Sequence, residues 1–285
     1  MTRTISVQRK NNISTVQDRT ALILGGWSPG PFYYLESYLE HDKGYRLVRP
    51  ALEMPPMTIG WCCQWQVILL LSVYAMFLWF MRQWCRRLRR QDTAWPVVGA
   101  YLLILVATVL WFRILVALAV HSSIQSNVKK CRQLIEDYNI SLVLGFSWGG
   151  AVAAELLVDR KIAARHEKDA TIPTTPIHNY QERDNIVDTS QRHGISFLLM
   201  APTTSVVASL DWFQPRDASL RVSSRLDSAV VVVHASNDAA FCPHAERWRG
   251  IPSVEWTVLR DNHVFLRPSS ERALKEIVNR LIIQQ

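Results

Sequence analysis

Short apolar runs alternate with amphipathic segments along most of the chain. The pattern predicts a strand at Thr20–Leu24, a turn rich in Gly and Pro, a helix at Phe32–His41 and a second strand at Tyr45–Val48. A strand, a helix and a further strand in this order form a βαβ unit, in which the two strands lie parallel. The chain is therefore predicted to be of the α/β class, with a mostly parallel sheet and helices on both faces.

The second half of the chain continues this pattern. Apolar runs predict four more strands, at Ile140–Leu144, Ile195–Met200, Ala229–His234 and Val254–Leu259. Helical periodicity predicts helices at Ser122–Tyr138, Gly150–Lys161 and Ser269–Ile283. Arg165–His193 is polar and shows no periodicity, which predicts a long surface loop. Residues 1–19 are polar and are predicted to form a flexible tail.

Two long apolar runs interrupt the alternation between residues 61 and 120. Trp61–Met81 and Val97–Val120 could each cover roughly 30 Å as a helix, which is the thickness of a bilayer core. Six of the eleven Trp residues lie in this region, several at the ends of the runs, where interfacial aromatic residues occur. The favoured interpretation is an apolar helical hairpin, residues 61–120, that anchors the chain in membrane lipid. The alternative is a hydrophobic lid over an active site, but a lid is normally amphipathic and these runs are not.

Arginine residues bear on how such a hairpin would lie in a membrane. Arg113 is past the middle of the second run, where a charge costs ~2.5–3.5 kcal/mol on insertion scales unless the side chain snorkels. Five more lie between the runs, at positions 82, 86, 87, 89 and 90, and the flanks hold six cations close to the runs. The distribution of positive charge therefore does not decide the orientation. A hairpin that spans the bilayer and one that only dips into it both stay open.

The segment Gly145-Phe146-Ser147-Trp148-Gly149 follows an apolar run and opens a predicted helix. This G-x-S-x-G pattern is typical of a nucleophile elbow, a turn so tight that the residues two before and two after the Ser must be small. A Ser hydroxyl is a poor nucleophile until a base removes its proton. Ser147 is therefore the candidate nucleophile, and a His and an acid should follow it in the sequence.

Both partners are found at the ends of predicted strands. His263 follows the last strand and is the preferred base, with His244 as its nearest rival. Asp238 follows the strand Ala229–His234 and is the preferred acid, with Asp211 as the alternative. Asp261 is too close to His263 in sequence for the usual geometry.

An oxyanion hole requires two backbone N–H groups directed at the developing negative charge. The residue after the nucleophile, Trp148, is expected to supply one of them. The N–H of Trp27, in the loop that begins with Gly25-Gly26, is expected to supply the other. A Gly-Gly pair can also form a tight turn without any catalytic role.

These features together resemble the α/β-hydrolase superfamily. Leu24-Gly25-Gly26-Trp27 is similar to its oxyanion loop, with Leu24 in place of the common His, and His234-Ala235-Ser236-Asn237-Asp238 is similar to its His-Gly-x-x-Asp segment. The resemblance implies that residues 20–60 and 121–285 form an α/β-hydrolase domain into which residues 61–120 are inserted. It implies an esterase or lipase-like activity, although the same fold also hosts other reactions and inactive binding proteins.

Charge and cysteine content narrow the functions further. The net charge of +8 owes five units to the Arg residues between the apolar runs, so nucleic-acid binding has little support. The five cysteines have no spacing typical of a disulfide framework or a metal site, and neither a metal ion nor another cofactor is predicted. The sequence thus predicts a membrane-associated serine hydrolase acting on an apolar or lipid-like ester or thioester. A non-catalytic membrane protein that binds or scaffolds is the alternative.

Overall fold

The computed structural model describes residues 19–54, 65–89, 94–158, 194–214, 216–223, 226 and 228–285. Residues 1–18 of the predicted tail and the whole of the predicted loop Arg165–His193 lie outside the described residues.

Six parallel strands form one sheet in the order β2-β1-β3-β4-β5-β6. The strands are β1 (Thr20–Leu24), β2 (Arg46–Val48), β3 (Ile140–Phe146), β4 (Ser196–Met200), β5 (Val230–Ala235) and β6 (Val254–Leu259). The four central strands consist mainly of buried apolar residues, as a parallel sheet covered on both faces requires. The predicted α/β class is confirmed, and each predicted strand end lies within two residues of the observed one.

Helices cover both faces of this sheet. The described α-helices, of which all but α2 contribute to this cover, are α1 (Phe32–Ser37), α2 (Trp65–Arg89), α3 (Ala94–Tyr138), α4 (Trp148–Val158), α5 (Thr204–Leu210) and α6 (Pro268–Ile283). A π-helical turn at Tyr38–Asp42 continues α1, and 3-10 helices occupy Ala218–Leu220 and Ala245–Gly250. One core cluster joins α1 and α6 to the sheet, and a second joins α3, α4 and α5 to its opposite face. The chain thus forms a parallel α/β sheet covered by helices on both faces and interrupted between β2 and β3 by an apolar helical hairpin.

Helices α2 and α3 pack against each other as this antiparallel hairpin. Near its base, the Tyr74 ring stacks on Trp111 with centroids 5.5 Å apart, and the Tyr74 hydroxyl lies 2.6 Å from the Thr108 hydroxyl. Further out, Met81 and Ala100 are buried in a small apolar cluster between the two helices. Most of the remaining apolar side chains that are described on the hairpin are exposed.

Helix α3 runs without a break for 45 residues. The sequence predicts an apolar run ending at Val120 and a separate helix beginning at Ser122, whereas the structure joins them. Neither Gly nor Pro stands between Ala100 and Tyr138, so nothing in the backbone ends the helix there. The boundary expected between hairpin and domain therefore falls inside α3.

One helix among the described residues, over Val98–Tyr138, is long and apolar enough to cross a membrane. A core helix of a soluble protein passes the same test of length and composition. Core helices are mostly buried, however, and only 17% of the apolar window in this helix is buried.

Candidate active site

The predicted site residues all follow strands at the carboxyl edge of the sheet. Ser147 follows β3, Asp238 follows β5 and His263 follows β6, while Gly26 and Trp27 follow β1. The chain places β2 on one side of β1 and β3 on the other, so the strand order reverses between β1 and β3. Ligands of open α/β sheets bind at the carboxyl edge beside such a reversal.

Ser147 occupies a strained turn between β3 and α4. Its φ is +53°, in the left-handed region that few non-glycine residues adopt. The Ser147 N–H donates to the Met200 carbonyl at 3.0 Å, which fixes the turn to β4. A Cβ atom on Gly149 would lie 1.9 Å from the Leu24 carbonyl oxygen, and one on Gly145 would lie 2.7 Å from the Gly149 carbonyl oxygen. Only glycine fits at these two positions, as the G-x-S-x-G pattern predicts.

Three side chains form a continuous hydrogen-bonded series. The Nε2 atom of His263 lies 2.8 Å from the Ser147 Oγ, and its Nδ1 atom lies 2.6 Å from the Asp238 Oδ2. Asp238 is 1% exposed, so its carboxylate interacts with the imidazole in a region of low dielectric. The structure thus brings together the three residues that the sequence singled out.

Two aromatic rings lie beside the imidazole of His263. The ring of Phe241 lies 4.7 Å from that of His263 between centroids, and the ring of Phe146 lies at 5.3 Å. These contacts restrict the rotation of His263 about its side-chain bonds. Phe241 was not singled out from the sequence, because an aromatic residue three positions after an Asp carries no recognisable signal.

The two rival residues lie elsewhere. Asp211 is buried, but its Oδ2 lies 3.0 Å from Nδ1 of His121 and its Oδ1 accepts the N–H groups of Phe213 and Gln214. His244 is exposed, and its described ion-pair partner is Glu246 at 3.8 Å. Geometry therefore separates both rivals from Ser147.

Asp261 has a supporting position instead. Its carboxylate accepts hydrogen bonds from the N–H groups of Asn262 and Arg267 and from the Ser270 hydroxyl. Burial raises the pKa of Asp261, but these hydrogen bonds outweigh the effect of burial and bring the pKa below its ordinary value. Asp261 thereby holds the loop that carries His263 against the start of α6.

The loop after β1 reaches the nucleophile. A Cβ atom on Gly26 would lie 2.7 Å from the Ser147 Cβ, whereas one on Gly25 would meet nothing within 4 Å. Gly26 is therefore required for close approach of this loop, and the adjacent Trp27 lies over the site with 72% of its surface exposed. Trp148, the first residue of α4, directly follows Ser147 and is buried.

A cavity of about 690 Å³ opens beside Ser147. This volume lies within the range of pockets that enclose small organic ligands. Helix α3 lines it with Val116, Ala119 and Val120, and α5 lines it with Val206, Val207 and Leu210. The rest of the lining comes from Thr203 before α5, from Trp148 at the start of α4 and from the loop or turn residues Trp27, Ser28, Ser147, Ala240, Phe241, His263 and Val264. None of the described lining residues is Asp, Glu, Lys or Arg.

The sequence did not predict α5, although Thr203-Thr204-Ser205 before Val206-Val207 is typical of a helix start.

One further cluster contains metal-ligand residue types. The ligand atoms of His234, Asp238 and Cys242 lie within 4.8 Å of one another. Burial and the negative charge of Asp238 raise the pKa of the Cys242 thiol, so a metal ion that binds there has to displace the thiol proton. Since Asp238 also engages His263, this cluster fits a support for the acid better than a metal site.

Comparisons with known proteins add little to this description. No protein-family model matches the chain, and no curated protein matches it. An uncharacterized protein from Bacillus cereus ATCC 10987 has a similar structure with a TM-score of 0.43 and 13% identity, over 99% of this chain and 65% of that protein. A provisionally assigned hydrolase from Agrobacterium vitis S4 aligns with a TM-score of 0.45 and 13% identity, over 93% of this chain and 88% of that one. The chain thus spans just under two thirds of the Bacillus protein. Likenesses this distant carry no conclusion about what the chain does.

Proposed function

We propose that the chain is a membrane-associated serine hydrolase that cleaves an ester, thioester or lipid ester of an apolar acyl group. One observation carries this proposal: the series Ser147, His263 and Asp238 borders an apolar cavity at the carboxyl edge of the sheet. A nucleophile, a base and an orienting acid in hydrogen-bond contact are the parts that acyl transfer requires.

The reaction begins when the Ser147 Oγ attacks the carbonyl carbon of the ester. His263 Nε2 accepts the hydroxyl proton, and Asp238 stabilises the imidazolium that forms and fixes its orientation. The tetrahedral intermediate places negative charge on the former carbonyl oxygen. The N–H groups of Trp27 and Trp148 are proposed to bind that oxygen, aided by the positive end of the α4 dipole.

Collapse of the intermediate expels the alcohol or thiol, which takes the proton from His263, and leaves the acyl group on Ser147. Water then enters and attacks the acyl carbon while His263 removes its proton. The second tetrahedral intermediate collapses to the carboxylic acid, and His263 returns the proton to the Ser147 Oγ as that oxygen leaves. The apolar cavity holds the acyl group during both halves of the reaction. Because the cavity wall bears no charged side chain among the described residues, an uncharged acyl chain suits it best.

Membrane association rests on the exposed apolar surface of the hairpin. Leu102, Leu105, Val109 and Phe112 on α3 are each more than half exposed. Such a continuous apolar surface is costly in water and is favourable in a bilayer. The cavity lining includes no described residue of α2, which supports an anchor over a lid.

Covalent labelling by a fluorophosphonate probe tests the enzymatic proposal directly. We expect the full-length protein in detergent micelles to be labelled, and Ser147→Ala to lose the label while keeping its circular dichroism spectrum. Ser205→Ala, a nearby Ser that the cavity lining does not include, is the matched control and should keep the label. A folded parent protein that resists labelling would instead favour a non-catalytic binding or scaffold function.

A further inference from the structure

Helix α3 takes part in two regions of the molecule. From Val98 to Phe112 it presents exposed apolar side chains on the hairpin, and from Val116 to Val120 it lines the cavity beside Ser147. Only three residues separate the last exposed apolar side chain of the first region from the start of the second. The apolar surface of the hairpin therefore leads directly to the cavity.

Two tethers hold α5 against this part of α3. The Arg113 guanidinium donates to the Ser209 carbonyl and lies 5.3 Å from the centre of the Trp212 ring. Two turns further along α3, His121 pairs with Asp211 at 3.0 Å. The tethers bracket the stretch of α3 that lines the cavity, so they fix the spacing between its α3 and α5 walls.

The contacts of Arg113 also show where the exposed apolar surface of the hairpin ends. Its charge is directed to a backbone carbonyl and an aromatic ring of the domain, and Trp212 is itself 46% exposed. An Arg stacked on a half-exposed Trp is typical of the interfacial region of a bilayer. The cavity would accordingly lie just outside the hydrocarbon core, at the level of the lipid head groups.

We propose that the space between α3 and α5 binds one long, unbranched acyl chain of an ester resident in the bilayer, and that Val116 on α3 determines the accepted chain length. This inference rests on the proposed function and adds its substrate class. The ester carbonyl lies at Ser147, and the chain extends along Val116, Ala119 and Val120 toward the hairpin. The segment that selects the substrate is thus part of α3, the same helix whose preceding residues are proposed to lie in the membrane.

Substitutions at two Val residues of α3 test this assignment. Val116 lines the cavity, whereas Val109 lies about two turns away, is 59% exposed and does not line the cavity. We expect Val116→Phe to lower kcat/KM for dodecanoyl and longer p-nitrophenyl esters at least tenfold relative to the butanoyl ester. Val109→Phe should leave the chain-length profile unchanged. Val116→Ala should shift the profile in the opposite direction, which keeps the test valid if Val116→Phe fails to fold.

The outcomes separate the two proposals. Labelling of Ser147 by the fluorophosphonate in every variant, with parent-like profiles for Val116→Phe and Val116→Ala, would overturn the acyl-site assignment and leave the hydrolase proposal intact. Absence of labelling in the parent protein would overturn the hydrolase proposal itself.

The source of the ester is tested with the protein reconstituted in phosphatidylcholine vesicles. The dodecanoyl ester dissolved in those same vesicles should be hydrolysed faster than an equal amount presented on albumin. Faster hydrolysis of the albumin-bound ester would overturn the bilayer as its source.

Discussion

At the scale of single residues, two buried aspartates are candidates for the proposed catalytic acid, and their hydrogen bonds distinguish them. Asp238 accepts from His263, which in turn contacts Ser147. Asp211 pairs with His121 and accepts two backbone N–H groups from its own turn. Asp238 follows β5, whereas Asp211 follows α5, a helix that the sequence did not predict, so the sequence could rank the two residues only by their position in the order of strands.

Asn substitution at each aspartate measures this difference. Asp238→Asn should lower kcat about 10⁴-fold, because the amide holds the imidazole in the wrong tautomer and cannot stabilise the imidazolium. Asp211→Asn should lower kcat less than about tenfold, because His121 is its partner. Steady-state hydrolysis of p-nitrophenyl butanoate by the two variants provides the comparison. A larger loss in Asp211→Asn would transfer the acid role to that residue.

The proposed oxyanion donors are backbone groups, so only a substitution that removes an N–H group tests them. Trp27→Pro deletes the N–H in an exposed loop and should lower kcat about 10²–10³-fold, the usual effect of losing one oxyanion donor. Trp27→Ala keeps the N–H and should retain kcat within a few fold. Equal rates for the two variants, both with parent-like circular dichroism spectra, would exclude Trp27 as a donor.

At the scale of elements, the features that depend on a short segment of sequence could be predicted, and those that depend on contacts between distant residues could not. The elbow and its partners could be predicted because each depends on a short segment at the end of a strand. The continuity of α3 could not be predicted. At Val120 the pattern changes from apolar on all sides to amphipathic, which resembles the end of a helix, although the helix continues. The cavity could not be predicted either. Its walls come from Val116, Val207 and Phe241, which only the tertiary fold brings together.

The loop between β6 and α6 has a pH dependence of known sign. The pKa of Asp261 is lowered in the folded chain from its ordinary value of 3.8, so the unfolded chain binds more protons between the two values. Stability therefore rises with pH across that window. The contribution of Asp261 is complete above about pH 4 and is lost as the pH falls through the folded-state pKa.

Asp261→Asn should accordingly lower the free energy of unfolding by about 2–3 kcal/mol at pH 7, the cost of weakening hydrogen bonds to a buried charged group. The difference from the parent should shrink as the pH falls below about 4. Urea unfolding of the micelle-bound protein between pH 7 and pH 3 measures both effects. Asp42→Asn, at an exposed carboxylate, is the matched control and should change stability by less than about 0.5 kcal/mol. A difference between Asp261→Asn and parent that stays constant over this range would contradict the assignment.

At the scale of the whole molecule, the hairpin combines an apolar band with charged ends. Because Met81 packs against Ala100, Arg82 lies level with that part of α3, and the stretch from Ala100 to Phe112, which has no charged neighbours on the described part of α2, is roughly 18 Å long as a helix. Arg113 lies at its domain end, and the exposed side chains of Arg82, Arg86 and Arg87 lie near its far end. A band of this length fits a hairpin that dips into the bilayer, and a hairpin that spans it requires Arg82, Arg86 and Arg87 to extend toward the head groups.

Two deletions of different length distinguish the anchor from the acyl-site wall. Asn127 forms two hydrogen bonds with the backbone of Glu53, which hold the chain before the deleted segment against α3 at that point. A linker that starts after Glu53 must therefore cover the distance from Asn127 to Arg113, which is about 21 Å along α3. Residues 54–60 with six added Gly and Ser residues can span ~40 Å, enough to join Gly60 to Arg113. This shorter deletion should give a protein that is soluble without detergent, is labelled at Ser147 and prefers long acyl chains.

Joining Gly60 to His121 instead also removes Val116, Ala119 and Val120, together with the buried Ala117. The longer deletion should be equally free of the membrane but should lose its preference for long chains, because one wall of the cavity is gone. Alkaline carbonate extraction, size-exclusion chromatography and the ester series measure the two effects separately. The full-length chain should resist carbonate extraction from membranes. A full-length chain that is monomeric in water without detergent would show that the hairpin is not a membrane anchor, whatever the deletions do to the acyl site.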